Sequence, residues 1–464
     1  MWIEELNLDN IKCFETFKLR LGSTAKPYRW ITLLGENGTG KSTVLQALAL
    51  LIAGPEGAIQ LLQRPEGWLR NEEKYGKLTL RLHQGENDPE LYGGKSGKKK
   101  KRKGRSKPQT EISVPPSATE YQRKVFQYTL YVTGSQKLTI NNKVFTEPVI
   151  TEDTNNRVIP WLREHALLPK GKGWFGAGYG AFRRLTRSSR ILVPGLKEPL
   201  RYTNFSTQFN ENDPLEAFEQ WMVYLDYKIE KGKNPLAEKQ RDLAIGAIDK
   251  LLPKGNRFDS IDDNGRIWFR TENVRVPTIA LSDGFRSILA LAGDLVWRLI
   301  EAFPESNAPL EEEGVVLIDE LDIHLHPTWQ YEIAGWLRAT FPSLQFIMAT
   351  HSPIIAAGAG GEAMTYRFYK KDGKIDFDAI KNIHAYNVDR ILQSEAFGLV
   401  SPFSKDTQQK ITDYYALKRK KSLSPAEQEK LQMTLPIVEQ ALGYGADTSE
   451  TEQRLTQYLK EHWQ

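Results

Sequence analysis

The sequence predicts an α/β fold organised around a parallel sheet, and three observations carry that expectation. Gly314 to Ile318 is a fully apolar, β-branched run of the kind that forms a central parallel strand buried on both faces. Trp30 to Leu34 is apolar throughout and ends in glycine. Amphipathic helical stretches alternate with such strands. The clearest is Lys41 to Ala53, with Leu45, Leu48, Ala49 and Ile52 on one stripe.

In chain order, two short strands, Trp2 to Leu8 and Glu15 to Leu21, precede Trp30 to Leu34 and its helix. Further strands are expected at Lys77 to Leu82, Gln127 to Thr133 and Lys137 to Ile140, and a buried one at Trp174 to Gly180. Pro214 to Leu252 has a helical pattern broken near Lys233-Asn234-Pro235, so it reads as two helices. Phe258 to Val276 alternates like a hairpin around Asp263-Asn264-Gly265. Ser282 opens a helix that runs to about Phe303, Pro327 to Phe341 forms another, and Gln345 to Ala349 is a short buried strand. After His351 the chain reads as polar and helical, with charged segments at Asp406 to Lys420 and Ser424 to Gln440.

A chain of 464 residues is long for one compact domain, so one large domain with insertions or two domains is expected. The net charge of +5 misleads: Gly94 to Pro108 holds nine Lys or Arg and no acid, and the remainder is slightly acidic. Cys13 is the only cysteine, which excludes an intrachain disulfide and a cysteine-based zinc site. The N-terminus lacks the basic start and short apolar run of a signal peptide. No uncharged apolar run approaches the roughly 20 residues of a membrane span; Val44 to Ala53 comes nearest and stops at Gly54-Pro55. No membrane partner is expected, and the default compartment is cytoplasmic.

Four motifs carry chemistry. Gly35-Glu36-Asn37-Gly38-Thr39-Gly40-Lys41-Ser42-Thr43 fits G-x-x-x-x-G-K-[ST] and lies between an apolar strand and an amphipathic helix, the context that motif requires. Its glycines let backbone N–H groups turn inward around phosphate, and the helix N-terminus adds its positive end. Lys41 would reach the β- and γ-phosphates and Ser42 would bind Mg²⁺. Next, an apolar strand delivers Asp319 and Glu320 at its C-terminal end, where an aspartate holds Mg²⁺ in phosphate-loop enzymes and the adjacent glutamate can polarise water. Alone, this pair is also compatible with two acids in an ordinary loop. Third, Leu281-Ser282-Asp283-Gly284-Phe285-Arg286 opens a helix; in isolation it reads as a serine N-cap. Last, His351 ends a short apolar strand in Met348-Ala349-Thr350-His351-Ser352-Pro353.

Together and in this order, the four resemble the ABC-ATPase heads of the SMC, RecF and OLD group. Leu321-Asp322-Ile323-His324-Leu325-His326-Pro327 is similar to that group's D-loop run, and Asn10-Ile11-Lys12-Cys13-Phe14 to its N-terminal segment. A more particular resemblance lies in Tyr179-Gly180-Ala181-Phe182-Arg183-Arg184-Leu185 and in the run from Val388 to Leu399. Both look like the PtuA-type ATPases of Septu and some retron anti-phage systems, in which the ATPase works with a separate HNH nuclease. The fold implied is an ABC-ATPase head with a phosphate-loop parallel core sheet, an N-terminal antiparallel β subdomain and a helical insertion. The divisions expected are 1–213, 214–255 for the insertion, 256–360, and a mostly helical extension over 361–464.

The resemblance implies an ATPase that uses Mg²⁺ and dimerises on ATP, as a homodimer or higher oligomer. Gly35, Asn37, Gly38, Thr39, Gly40, Lys41, Ser42, Thr43 and Lys12 would bind ATP, with Ser42 and Asp319 holding the metal. Glu320 would orient water and His351 contact the γ-phosphate. Ser282, Asp283 and Gly284 would serve the partner's nucleotide, and Asp322 the D-loop. The group's Q-loop glutamine has no counterpart directly after Gly180, where Arg183 and Arg184 stand. No nuclease motif follows His351, so cleavage would come from an HNH-type partner. The basic residues Lys98, Lys99, Lys100, Lys101, Arg102, Lys103 and Arg105 could contact DNA phosphates or simply form a solvated loop. A RecF-like repair ATPase and a nucleotide-controlled scaffold with weak hydrolysis are the alternative readings. The LSDGF signature, in place of LSGGQ, disfavours a transporter ATPase.

Overall fold

A computed structural model describes residues 1–63, 65–85, 125–140, 143–153, 158–168, 173–181, 183, 200–210, 217–232, 234–253, 255–385, 388–393, 403–420 and 422–442. The chain divides into two compact units, Met1–Val388 and Asp389–Gln464. In the second, the helices Lys405–Lys418 and Pro425–Leu442 share a small core of Ile411, Tyr414 and Val438.

The first unit contains a six-stranded sheet. Its strands are β3 (Trp30–Gly35), β7 (Phe175–Tyr179), β11 (Gly314–Ile318), β12 (Leu344–Thr350), β13 (Met364–Lys371) and β14 (Lys374–Ile380). The order is β14-β13-β3-β12-β11-β7, parallel throughout except for β14 at the edge. Alternation explains why the central strands carry no polar face. Val315, Leu317, Ile347, Ala349, Ile31 and Leu33 enter one core. Val316, Ile318, Phe346, Met348, Ala177 and Tyr179 enter another with the helices beyond. A strand covered on both sides has no solvent-facing residue to vary, so it reads as a continuous apolar run.

The first core is closed by the helix Lys41–Leu61 and by a five-stranded antiparallel sheet of order β2-β1-β4-β5-β6. These strands are β1 (Trp2–Ile11), β2 (Phe14–Arg20), β4 (Tyr75–His83), β5 (Val125–Ile140) and β6 (Lys143–Glu152). Gln345, wholly buried in β12, fastens this sheet to the parallel one. Its amide accepts from Ile3 N and donates to the carbonyls of Ile3 and Leu21, so its polar atoms are satisfied without water. The expected strands Gln127 to Thr133 and Lys137 to Ile140 are one strand, β5, with a register shift at Gly134.

The second core is covered by the helices Ala217–Gly232, Pro235–Leu251, Asp283–Ala302 and Pro327–Thr340. The break expected at Lys233-Asn234-Pro235 is present: the Asn234 side chain accepts from Leu236 N and Ala237 N, and Pro235 opens the new helix. β8 (Asn256–Ile261), β9 (Ile267–Thr271) and β10 (Val274–Pro277) form the expected hairpin region, with Gly265 in the turn at φ 70°.

Two features depart from the sequence reading. The segment after His351, expected to be helical, makes only the short helix Pro353–Gly358 before turning into β13 and β14. Asp372-Gly373, both at positive φ, turn this hairpin, and β13 joins the main sheet beside β3. The helix expected to end at Ala53 continues to Leu61 across a kink at Gly54, whose φ of 80° lets the chain pass Pro55. Its length and composition would suit a membrane span, but 67% of the relevant window is buried inside the fold, as in a core helix of a globular domain. The basic run 98–105 lies outside the described residues, as do Phe182, Arg184, Leu185 and 394–399.

Candidate functional site

The C-terminal edges of the central strands end level. Across the sheet Leu34 pairs with Thr350, Met348 with Ile318, and Ile318 with Tyr179. Whatever follows these strands therefore converges on one rim, the place where open parallel sheets bind ligands.

The loop after β3 enters helix Lys41–Leu61 through Gly40, at φ 85° and with no side-chain cap. A Cβ there would stand 2.5 Å from the Phe14 ring and 2.8 Å from Cys13 Sγ, so conformation and space both demand glycine. The uncapped first turn leaves backbone N–H groups available to an anion. Lys41 Nζ donates to the carbonyls of Gly35 at 2.9 Å and Glu36 at 2.8 Å, and Thr39 Oγ1 donates to Glu36 O. Burial lowers the Lys41 ammonium to about 8, against the opposing pull of Asp319, Glu320, Asp322 and Glu36. Asn37, Gly38 and Ser42 are exposed on the loop and helix start, while Thr39 and Thr43 are buried beneath them.

Asp319 and Glu320 follow β11 in a tight turn. The Ser42 side chain lies beside the Asp319 carboxylate, whose Oδ1 is buried with no hydrogen-bond partner. Burial pushes this carboxyl above its ordinary range, and Glu320 alongside adds to the shift. Ser42, Arg183 and Lys41 oppose it. Glu320 sits at φ 46°, in the left-handed region that costs a non-glycine residue about 1–2 kcal/mol.

Asp322 and His351 are joined to this group from the next strand. Asp322 Oδ1 accepts from Thr350 Oγ1 and from His351 N. Gln330 Nε2 donates to the carbonyls of Asp322 and Leu325, and its oxygen accepts from Ser352. The His351 ring lies beside the Gly35 backbone. Its pKa is lowered by burial and by Lys41, which favours the neutral ring near pH 7. Thus Gly35, Lys41, Ser42, Asp319, Glu320, Asp322 and His351, drawn from three separate stretches of sequence, form one electrostatic cluster.

Ser282 is placed differently. It is exposed and caps helix Asp283–Ala302, accepting from Phe285 N at 3.4 Å, so its bonds tie it to its own helix. Gly284 is required by the chain itself: a Cβ would lie 2.4 Å from the His324 carbonyl. Asp283 is exposed beside it. Lys12, at φ 47°, stacks over Trp68, and its Nζ donates to Gln46 Oε1 at 3.0 Å, one helical turn beyond Ser42.

Three residues escaped the sequence reading of the site. The Arg183 guanidinium turns onto backbone carbonyls of the acidic turn. Gln208 is buried with neither side-chain amide atom hydrogen-bonded, while its carbonyl accepts from Gln46 Nε2. Lys370 of β13 brings Nζ within 3.7 Å of where a Gly38 Cβ would stand. The adjacent arginines after β7 signalled only the first, and nothing local marks the others.

The donors suit magnesium. A hard divalent cation takes hydroxyl and carboxylate oxygens, and the buried, unpartnered Oδ1 of Asp319 beside Ser42 is an acceptor left open for one.

Two family models match parts of the chain. A family model described as "AAA domain, putative AbiEii toxin, Type IV TA system" matches residues 181–357, and one described as "ABC transporter" matches residues 20–122. The chain is 25% identical to the Septu protein PtuA of Bacillus mycoides (strain KBAB4) over 433 residues, which is 93% of this chain and 49% of that protein. It is 49% identical to the "Retron Ec83 probable ATPase" of Escherichia coli over 81 residues, 18% of this chain and 15% of that one. The chain thus spans about half the length of the first relative and much less of the second. Among solved structures, an Smc head bound to the C-winged helix domain of ScpA aligns with 83% of this chain and 100% of its own, at TM-score 0.47 and 14% identity. The resemblance to ABC-type ATPases, and to PtuA-type and retron ATPases among them, is borne out by these matches.

Proposed function

We propose that this chain binds MgATP on the rim formed by β3, β11 and β12 and hydrolyses it in a site completed by a second copy, the cycle controlling an HNH-type nuclease in anti-phage defence. One observation carries the nucleotide site: Asp319 Oδ1 is buried and unpartnered beside Ser42, with Lys41 and His351 alongside. Ser42 and Asp319 would hold Mg²⁺, which when bound offsets phosphate charge. Lys41 and the first-turn N–H groups bind the triphosphate, and Glu320 orients the attacking water. His351, neutral, donates its ring N–H to the γ-phosphate. Catalysis of this kind is mainly positioning and charge stabilisation.

Dimerisation is supported by the exposed position of Ser282 and Asp283 at the start of helix Asp283–Ala302, where a second copy's nucleotide could reach them. The nuclease partner is supported by the similarity to Septu protein PtuA. The cytoplasm is the proposed compartment.

The test pairs two variants. Lys41→Ala is expected to weaken ATP binding by roughly 100-fold, the loss of about two charge-assisted hydrogen bonds. Glu320→Gln is expected to retain binding, lower turnover by about 100-fold or more, and accumulate an ATP-bound dimer by light scattering. Parental turnover in both variants sinks the site. A Glu320→Gln protein that stays monomeric with saturating ATP sinks the dimer. Co-purification with an HNH protein encoded beside the gene tests the partner.

A further inference from the structure

We propose that Arg183 is a positioning residue for hydrolysis: its guanidinium clamps the backbone of the Asp319-Glu320 turn and holds Glu320 in the left-handed conformation that aims its carboxylate. Arg183 is 5% exposed. Nη1 donates to the carbonyls of Gly180 at 2.8 Å and Asp319 at 2.7 Å, and Nη2 donates to the carbonyl of Glu320 at 2.9 Å. The three acceptors come from two strands that end side by side: Gly180 follows β7, and Asp319 and Glu320 follow β11. The Asp319 N–H is fixed to Tyr179 O at 2.8 Å, and the Glu320 carbonyl also accepts from Ile323 N. Arg183 therefore grips the turn through backbone groups and takes up neither carboxylate.

A single planar fork can serve three carbonyls at once; a lysine ammonium of the same charge cannot reach them in that arrangement. The grip is placed where strain is stored. Glu320 is at φ 46°, and without outside bonds an L-residue there relaxes toward a right-handed or extended backbone, swinging its side chain away. Among the described residues the Arg183 side chain hydrogen-bonds only main chain, which sets it apart from the glutamine that contacts metal in related ATPases.

Arg201 provides the contrast within the molecule. It too is a buried arginine on backbone carbonyls, those of Ala166, Trp174, Leu168 and Ile52. None of these belongs to the nucleotide rim.

The proposal rests on the reading of Asp319 and Glu320 as the hydrolytic pair, so Glu320→Gln is run beside Arg183→Lys, Arg183→Gln and Arg201→Lys. Each is assayed for ATP affinity with a fluorescent ATP analogue, for steady-state turnover, for ATP-dependent dimer lifetime and for melting temperature. Arg183→Lys and Arg183→Gln are expected to bind nucleotide within about threefold of the parent, to lose roughly 30-fold in kcat, and to hold the ATP-bound dimer longer, reproducing Glu320→Gln. Arg201→Lys should lower the melting temperature while kcat of the folded protein stays within about twofold. In a Glu320→Gln background, Arg183→Lys should add little further loss, because both act on one step. Parental kcat in Arg183→Lys, or loss of ATP binding in proportion to kcat, or failure of both Arg183 variants to fold, overturns the proposal. Parental turnover in Glu320→Gln instead overturns the underlying assignment of the pair.

Discussion

The phosphate loop and the acidic turn face the same rim but are built in opposite ways. The loop is local: from Gly35 to Thr43 its shape follows from glycines at positive φ, Lys41 folding back on Gly35 and Glu36, and a helix that starts at once. The acidic turn has only two residues of its own. Arg183, Tyr179 and Ile323 fix its backbone, and Ser42 meets the Asp319 carboxylate. A locally determined element carries its geometry wherever the sequence occurs, whereas a tertiary one exists only when distant strands are already paired.

Three further experiments break or sharpen that contrast. The largest effect is expected from Gly40→Val. Its side chain would enter the Phe14 ring and Cys13 Sγ at a backbone conformation valine disfavours. We expect about 2–4 kcal/mol of destabilisation by denaturant melts and loss of ATP binding. A stable variant that binds ATP would mean the loop tolerates another shape, and the description of it as locally determined would fail.

An intermediate effect is expected from pH. Burial places the Lys41 ammonium at about 8 in the free protein. As pH rises through that value Lys41 loses the proton it needs for phosphate, so kcat/KM should fall by up to about tenfold per pH unit above 8. Bound triphosphate restores the charge, so kcat should hold over the same range. The stability contribution has the opposite sign. With the folded pKa below the unfolded 10.5, burying the charged lysine costs most below pH 8, and the cost is relieved as pH rises from about 8 toward 10.5. A kcat/KM profile flat to pH 9.5 would contradict a protonated Lys41 as the phosphate ligand.

The smallest effect is expected from Thr350→Val, which keeps the shape of the side chain and removes its bond to Asp322. ATP affinity should stay near parental while kcat falls by about three- to tenfold, as the Asp322–His351 contact loosens. Equal losses in affinity and kcat would place Thr350 with the phosphate loop instead of the acidic turn.

Legibility in the sequence follows the same division. Gly35 to Ser42, the apolar strands β3 and β11, Asn234-Pro235 as a helix start and Ser282 as a cap could all be read from neighbours in the chain, because glycine, proline and capping chemistry act over a few residues. β13 could not. Its residues alternate only partly, and the chain became a strand because β3 offered an open edge and Asp372-Gly373 could turn it. Gly284 looked like a residue kept small for a ligand; the His324 carbonyl beside it supplies an internal reason.

By itself the sequence determined an α/β chain with a glycine-rich loop opening a helix, two carboxylates after an apolar strand and a serine-capped helix, since each depends on short-range stereochemistry. Only the tertiary structure decided that Asp319 meets Ser42, that His351 meets Gly35, and that Arg183 holds the turn between them. Each of those pairings spans more than a hundred residues, and they are set by strand order and register, which no local pattern encodes.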